Sequence, residues 1–335
     1  MNKLTVTLLT LIFLTSCGNK NAPDVSGIKV NLSIGRFDKD FFNADTNHIN
    51  EGLDAVQKKY PYFFTDFIRH IVLEGSMDTV SEIPVIVKSY ISNSRPLYDS
   101  AQLKFGNLNN LTGELKKGFQ YVKHYYPDYS IPNVVTYSGL IGDPSVALTK
   151  ETMAIGLQMY LGKNFSAYNT LEAIDKFPQY ISRRFEPVYI PVNCFQNIAL
   201  DVYPEKLQGL SLIEQMIEKG KQWWLTNKFL PGATDSLITG FKESQLVWCR
   251  KNEGLVWNNI IQNNDLYTTD PTSIQNFIGE APKTDGMPDA SPGNIGQWIG
   301  WQIVQKFADN TGLGVQQVLQ TDAKKIFETA KYKPK

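Results

Sequence analysis

Residues 216–224 read MIEKGKQWW, which sets a carboxylate, two ammonium groups and paired indoles within a short stretch of chain. A carboxylate and an amine facing a cleft could move protons, and indoles could wall that cleft. At roughly 100° per residue, Ile213, Met216, Ile217, Gly220 and Trp224 share one helix face, and Trp223 borders it. Glu214, Glu218 and Lys221 flank the other side, with Glu218 and Lys221 three residues apart and able to pair. Two readings fit. One is a core helix with a charged shoulder, whose pair adds a few tenths of a kcal/mol. The other is the wall of an active site. On these residues alone the first is preferred.

No complete catalytic motif accompanies them. The three histidines are His48, His70 and His124. None belongs to HExxH and none lies four residues from another, so a zinc site has no local support. Each reads as a solvated or hydrogen-bonded surface residue. GxSxG, a phosphate loop and a dinucleotide fingerprint are all missing. No metal or other cofactor is expected, and the residues lean away from an enzyme.

The whole chain narrows the field further. Its 33 basic residues balance 33 acidic ones without long runs of either sign, so a nucleic-acid partner is not expected. At the start, MNKLTVTLLTLIFLTSCGNK combines a lysine, an apolar run over Leu4–Leu14 and the tetrapeptide LTSC. The run is short for a membrane span, and the ending resembles a bacterial lipobox. Residues 1–16 read as a signal peptide removed before Cys17, with lipid placed on Cys17. Several acyl chains would anchor firmly, each buried methylene adding roughly 0.8 kcal/mol. Residues 17–27 then form a lipid-anchored tether, and 28–335 a single globular domain. No acidic cluster follows Cys17, which favours a periplasm-facing orientation. Cys194 and Cys249 lie in apolar stretches and read as separate buried thiols rather than a disulfide.

These residues need elements to position them. IKVNLSI (28–34) alternates apolar and polar and predicts a first strand. RFDKDFF (36–42) leads into helix, YPYFFTDFIRHIVL (60–73) has helical spacing, and 107–125 predicts an amphipathic helix ended by Pro127. IPNVVTYSGL (131–140) and a segment ending near Leu161 predict a hairpin or paired strands, broken at Gly142-Asp143-Pro144. From Ser166 onward the pattern is helical. The fold class is therefore α+β, predominantly helical, with a small N-terminal sheet region followed by a helical bundle. KTDGMPDASPGN (283–294) is a loop long enough to be functional. In the helix that follows, IGQWIGWQIVQKF, Ile295, Ile299, Ile303 and Phe307 recur every fourth residue. Gly296 and Gly300 there admit a second backbone at close range.

The ordered set LTSC, PDVSGIKV, RFDKDFF, AIGLQMYLG, RRFEPVYI, MIEKGKQWW, LPGATDS, LVWCRKNEGLVW and IGQWIGWQIV resembles the GldB gliding-motility lipoproteins of Bacteroidetes across nearly the whole chain. The resemblance implies an envelope lipoprotein supporting gliding, together with the secretion apparatus that motility requires. Its partners would be the membrane, through the lipid anchor, and other envelope or gliding-machinery proteins. The helix order also looks like that of zinc peptidases with HExxH on one helix and an EG pair on a later one. On that plan Asn193 and Asn197 of NCFQN take the histidine places and Cys194 the general base. Lys219 takes the metal-binding glutamate's place beside Gly220, and Glu218 falls one residue out of register. Amides and an ammonium are poor partners for Zn²⁺. The resemblance thus implies a peptidase-like fold without metal or base, its former cleft lined by Asn193, Asn197, Glu218, Lys221 and Trp223. Trp248, Asn252, Glu253 and Trp257 would face it from a neighbouring helix, and a peptide or glycan would be the ligand. The alternatives are an envelope hydrolase with an unconventional site and a cell-wall glycan-binding module.

Overall fold

The structure, a computed structural model, describes residues 22–74, 82–263 and 266–334; the signal segment and Cys17 lie outside the described residues. Strand β1 (Ile34–Gly35) leads into helices α1 (Phe37–Phe42), α2 (Ile49–Lys59), α3 (Phe64–Phe67), α4 (Ile83–Lys104) and α5 (Asn109–Tyr125). Strands β2 (Asn133–Tyr137), β3 (Val146–Leu148) and β4 (Thr152–Gly156) follow, and the sheet order is β1-β2-β4-β3. β2 pairs in parallel with β1 and with β4, whereas β3 and β4 are antiparallel.

Successive side chains of the two central strands enter different cores, as the two-residue period demands. Val134, Met153 and Ile155 join the larger core, while Val135, Tyr137 and Ala154 join an aromatic one. Burial on both faces accounts for the near-continuous apolar runs NVVTY and TMAIG. In the aromatic core, Phe37 meets Phe63 and Phe67 edge-on with ring centroids 4.8 Å apart in each pair. Asp38 lies beneath it, fully buried. Its carboxylate accepts from Arg36 at 2.6 and 3.0 Å, from Gln102 Nε2 at 2.7 Å and from Thr136 Oγ1 at 2.6 Å. Arg36 also donates to Phe105 O at 2.8 Å. One buried carboxylate thereby ties α1 to β2 and α4.

One sequence expectation needs correction here, and a second, left between two alternatives, is resolved. The strand expected over 28–34 is confined to Ile34–Gly35. Upstream, Ile28 N donates to Val25 O at 3.0 Å and Ile28 O accepts from Gln120 of α5 at 2.8 Å, so a turn and a helix side chain replace a ladder. β2 and β4 do pair, but not as a hairpin. The chain between them first lays down β3 on the far side of β4, which returns β4 parallel to β2.

The second half is helical. After the short α6 (Leu171–Lys176) and α7 (Gln179–Ser182) come α8 (Ile190–Val202) and α9 (Leu212–Phe229). α9 opens with SLIE, in which Ser211 N and Oγ both donate to Glu214 Oε2, at 2.9 and 2.5 Å. Next come α10 (Asp235–Thr239), α11 (Glu243–Lys251), α12 (Glu253–Asn263), α13 (Pro271–Ile278), α14 (Ile295–Thr311), α15 (Val315–Gln320) and α16 (Ala323–Ala330). α14 crosses α9 at glycines, as its spacing predicts. A Cβ on Gly300 would stand 1.7 Å from Met216 O, and one on Gly220 2.2 Å from Gly300 C. Ile295, Ile299, Ile303 and Phe307 are all buried. An α+β fold, predominantly helical, is therefore what the chain adopts.

Candidate binding cleft

α8 and α9 pack side by side, and between them a hollow of about 200 Å³ is lined by Asn193, Gln196, Lys219, Gln222 and Trp223. Arg184, Glu280 and Asn294 line both this hollow and an adjoining cleft of about 880 Å³. The larger part collects Lys163, Arg183, Arg184 and Lys242 against a single carboxylate, Glu280. Its remaining polar lining is mostly amide and hydroxyl, including Ser182 and Gln245.

Three separate segments supply the cations. Arg183 and Arg184 follow α7, Lys242 precedes α11, and Lys163 follows β4. Arg184 Nη1 pairs with Glu280 Oε1 at 3.0 Å near the surface. Arg183 is different. One of its terminal nitrogens donates to Gly240 O, its Nε is buried with no partner among the described residues, and burial pulls its guanidinium below the usual arginine range. Gln222 Oε1 is likewise buried without a partner, while its Nε2 donates to Tyr203 O at 2.6 Å. Each such atom costs free energy unless something outside the chain meets it. Arg183 lines the larger cleft and Gln222 the hollow beside it.

The residues expected to share a site are distributed over several places. Asn193 and Trp223 do line the same hollow, with Lys219. Asn193 Nδ2 donates to Tyr160 OH at 2.8 Å, and Trp223 packs edge-on to Phe241. Asn197 donates to Asn193 O at 2.9 Å and opens to another depression, beside Tyr129 and Asp201. Glu218 and Lys221 are buried inside the bundle, paired at 2.6 Å. Lys221 Nζ also reaches Leu319 O at 3.1 Å and Thr321 O at 2.8 Å, so it caps the end of α15. The helix expected to carry Trp248, Asn252, Glu253 and Trp257 breaks at Asn252, whose amide folds back to Trp248 O at 2.8 Å. Trp257 packs against Tyr332, which donates to Glu253 at 2.5 Å; both are thus held by the C-terminal segment.

The donor set at the α8–α9 pair does not fit a zinc ion. Asn193 and Asn197 are engaged as above, Lys219 binds Glu205 at 2.7 Å, and an ammonium opposes a cation. Among the described residues no group of three His, Cys, Asp or Glu is placed to hold a metal. His48, His70 and His124 are all exposed. Cys194 and Cys249 are free and buried. Burial pushes both thiols up, Cys249 to about 12, so neither is a ready nucleophile at neutral pH.

The cationic lining was not among the residues singled out from sequence. RRFEPVYI reads as a solvated charge pair until α7, α10 and the 283–294 loop are folded around it. The loop itself was legible, and its Pro292, Gly293 and Asn294 do edge the cleft. No helix among the described residues is long and apolar enough to cross a membrane. Comparison with curated proteins and with solved structures returns no match. The family described as gliding motility protein GldB, in contrast, matches residues 18–334. With that match running from residue 18 through the cleft to the last helix, the chain belongs to the GldB gliding-motility family.

Proposed function

We propose that the protein is a lipid-anchored component of the bacterial cell envelope that supports gliding motility by binding rather than by catalysis. The family carries the link to motility. What supports the binding role is the cleft with its adjoining hollow: five cations (Lys163, Arg183, Arg184, Lys219 and Lys242) and several amides line them, while Glu205 and Glu280 are each already paired with a cation. Proton transfer needs a carboxylate or imidazole free to exchange a proton, whereas recognition of a polar chain needs fixed donors. A peptide or glycan segment bearing negative charge fits such a lining, since guanidinium groups grip carboxylates in two-point fashion.

The test reverses the exposed charges at the rim. Lys163→Glu combined with Lys242→Glu alters no buried group, so the protein should accumulate and melt as the parent does. Gliding should fall by about tenfold or more, as expected when charge complementarity turns into repulsion. Normal gliding in that double variant would remove the cleft from the function. One equivalent of tightly held zinc in protein purified without chelator would instead favour an envelope hydrolase.

The anchor has its own readout. A lipid on Cys17 consumes that thiol as a thioether. Of the three cysteines in the chain, only Cys194 and Cys249 should therefore react with a thiol reagent. In membrane-extracted protein neither should react at an appreciable rate before denaturation. A thiol shifted from 9.0 to about 12 holds about a thousandfold less thiolate. Two thiols should appear in denaturant; a third would mean that Cys17 carries no lipid.

A further inference from the structure

A second concavity lies away from the polar cleft. It has a volume of about 500 Å³ and runs between α5, the start of α8 and the turn after α9. Its walls are apolar: Tyr121, Val188, Val192, Phe229, Leu230 and Leu237. Val188 is 54% exposed although it points into this lining. Glu114 and Lys117 stand at the rim, both exposed. At one edge lies Ala22, the first described residue. It is held there because the next few residues are packed down: Val25 is fully buried, and Ile28 is bonded to Gln120 of α5.

Resting on the reading that Cys17 is lipidated, we propose that this groove is an acyl-chain site and that its occupant is one hydrocarbon chain of the lipid on Cys17. Three observations lead there. The groove combines a mainly apolar lining with a volume of about 500 Å³, the size of a small-ligand pocket. Cys17 is five residues before Ala22, and an extended chain covers at most about 3.5 Å per residue, so the residue that carries the lipid lies within about 18 Å of Ala22. The rim charges discriminate between occupants. Pressing this face into a bilayer would desolvate Glu114 and Lys117, whereas a single chain entering between them leaves both in water. The remaining acyl chains would still hold the membrane. Seating one chain in the groove would fix which face of the body turns towards the bilayer, which a free tether cannot do.

The experiment uses the full-length lipoprotein in its own cells, fed a fatty acid with a photoreactive diazirine near its methyl end. Mass analysis first establishes whether Cys17 carries the label. After irradiation, intrachain crosslinks should fall on peptides containing Tyr121, Val188 to Val192 and Leu230 to Ala233, about tenfold above other peptides of the body. Val188→Glu, a change at an exposed position, should lower that yield several-fold without altering the label on Cys17. A labelled Cys17 whose crosslinks reach only bilayer lipid overturns the groove assignment and leaves the anchor standing. Groove crosslinks that persist in a Cys17→Ser chain overturn the proposed occupant, because the chain then comes from a bilayer lipid. An unlabelled Cys17 overturns the anchor, and the groove assignment with it.

Discussion

Replacing Lys221 with alanine is expected to destabilise the protein by about 3–5 kcal/mol, the usual cost of leaving one partner of a buried ion pair alone. Lys221 is 1% exposed and Glu218 5%. The ammonium meets Glu218 Oε1 at 2.6 Å, Tyr203 OH at 3.1 Å and the two carbonyls that end α15. Tyr203 in turn donates to Glu218 Oε2 at 2.7 Å. Without the lysine, a carboxylate stays buried with one hydroxyl, and two carbonyls lose their donor. The paired change Glu218→Leu with Lys221→Met removes both charges at similar volume and should recover most of the loss. Denaturant midpoints of the single and double variants provide the measurement. The pair also has a pH signature. Burial draws the Lys221 ammonium below the ordinary lysine value of 10.5, against the opposing bond to Glu218. The unfolded chain then holds that proton more firmly, so this group's contribution to stability grows as pH rises from the folded value towards 10.5. The double variant should lose that rise. If Lys221→Ala instead left stability intact and only gliding failed, the pair would belong to the cleft after all.

This outcome answers the choice posed by MIEKGKQWW in favour of the core helix, but at a larger energy than an exposed pair three residues apart would give. A helical wheel places Glu218 and Lys221 on a shoulder. It cannot show that α15 ends against that shoulder, because those carbonyls lie about a hundred residues downstream. That α14 admits another backbone at close range was legible, since glycine at 296 and 300 within an apolar helix has few other uses, but that the partner is α9 was not. Strand direction was not. A run such as NVVTY announces burial on both faces, yet parallel or antiparallel pairing depends on the path taken between strands. The candidate site was the least legible part. Its cations come from three segments, each of which alone reads as solvated charge. Only the 283–294 loop pointed to it, through its length and its glycine and proline content. In the same way, the tether read as a leash over 17–27, while Val25 is fully buried and Ala22 edges a groove whose walls are assembled from α5, α8 and α9.

The second large effect is expected inside RFDKDFF, where two aspartates two residues apart should behave in opposite ways. Asp38→Ala should cost about 3–5 kcal/mol, because Arg36, largely buried at 18% side-chain exposure, would keep its charge and lose its carboxylate. Gln102 and Thr136 would lose an acceptor as well, each an interaction contributing about 0.5–1.5 kcal/mol in its own right. Asp38→Asn keeps an acceptor oxygen and the shape, so its loss should be smaller, about 1–3 kcal/mol. Asp40 is the internal control. It binds Lys59 at 2.6 Å and Tyr60 OH at 2.5 Å, but a third of its side chain is in water and Lys59 is mostly exposed. Solvent screening limits such a pair, and Asp40→Ala should cost about 1 kcal/mol or less. The contrast matters beyond stability. Asp38 joins the first helix to the central strand and to α4, and the same sheet buries its opposite face against α8, which supports the cleft. A protein weakened at Asp38 should therefore lose gliding through reduced abundance, whereas the charge-reversed cleft should lose it at normal abundance. Equal denaturant midpoints for Asp38→Ala and Asp40→Ala would sink the assignment of Asp38 as the buried tie.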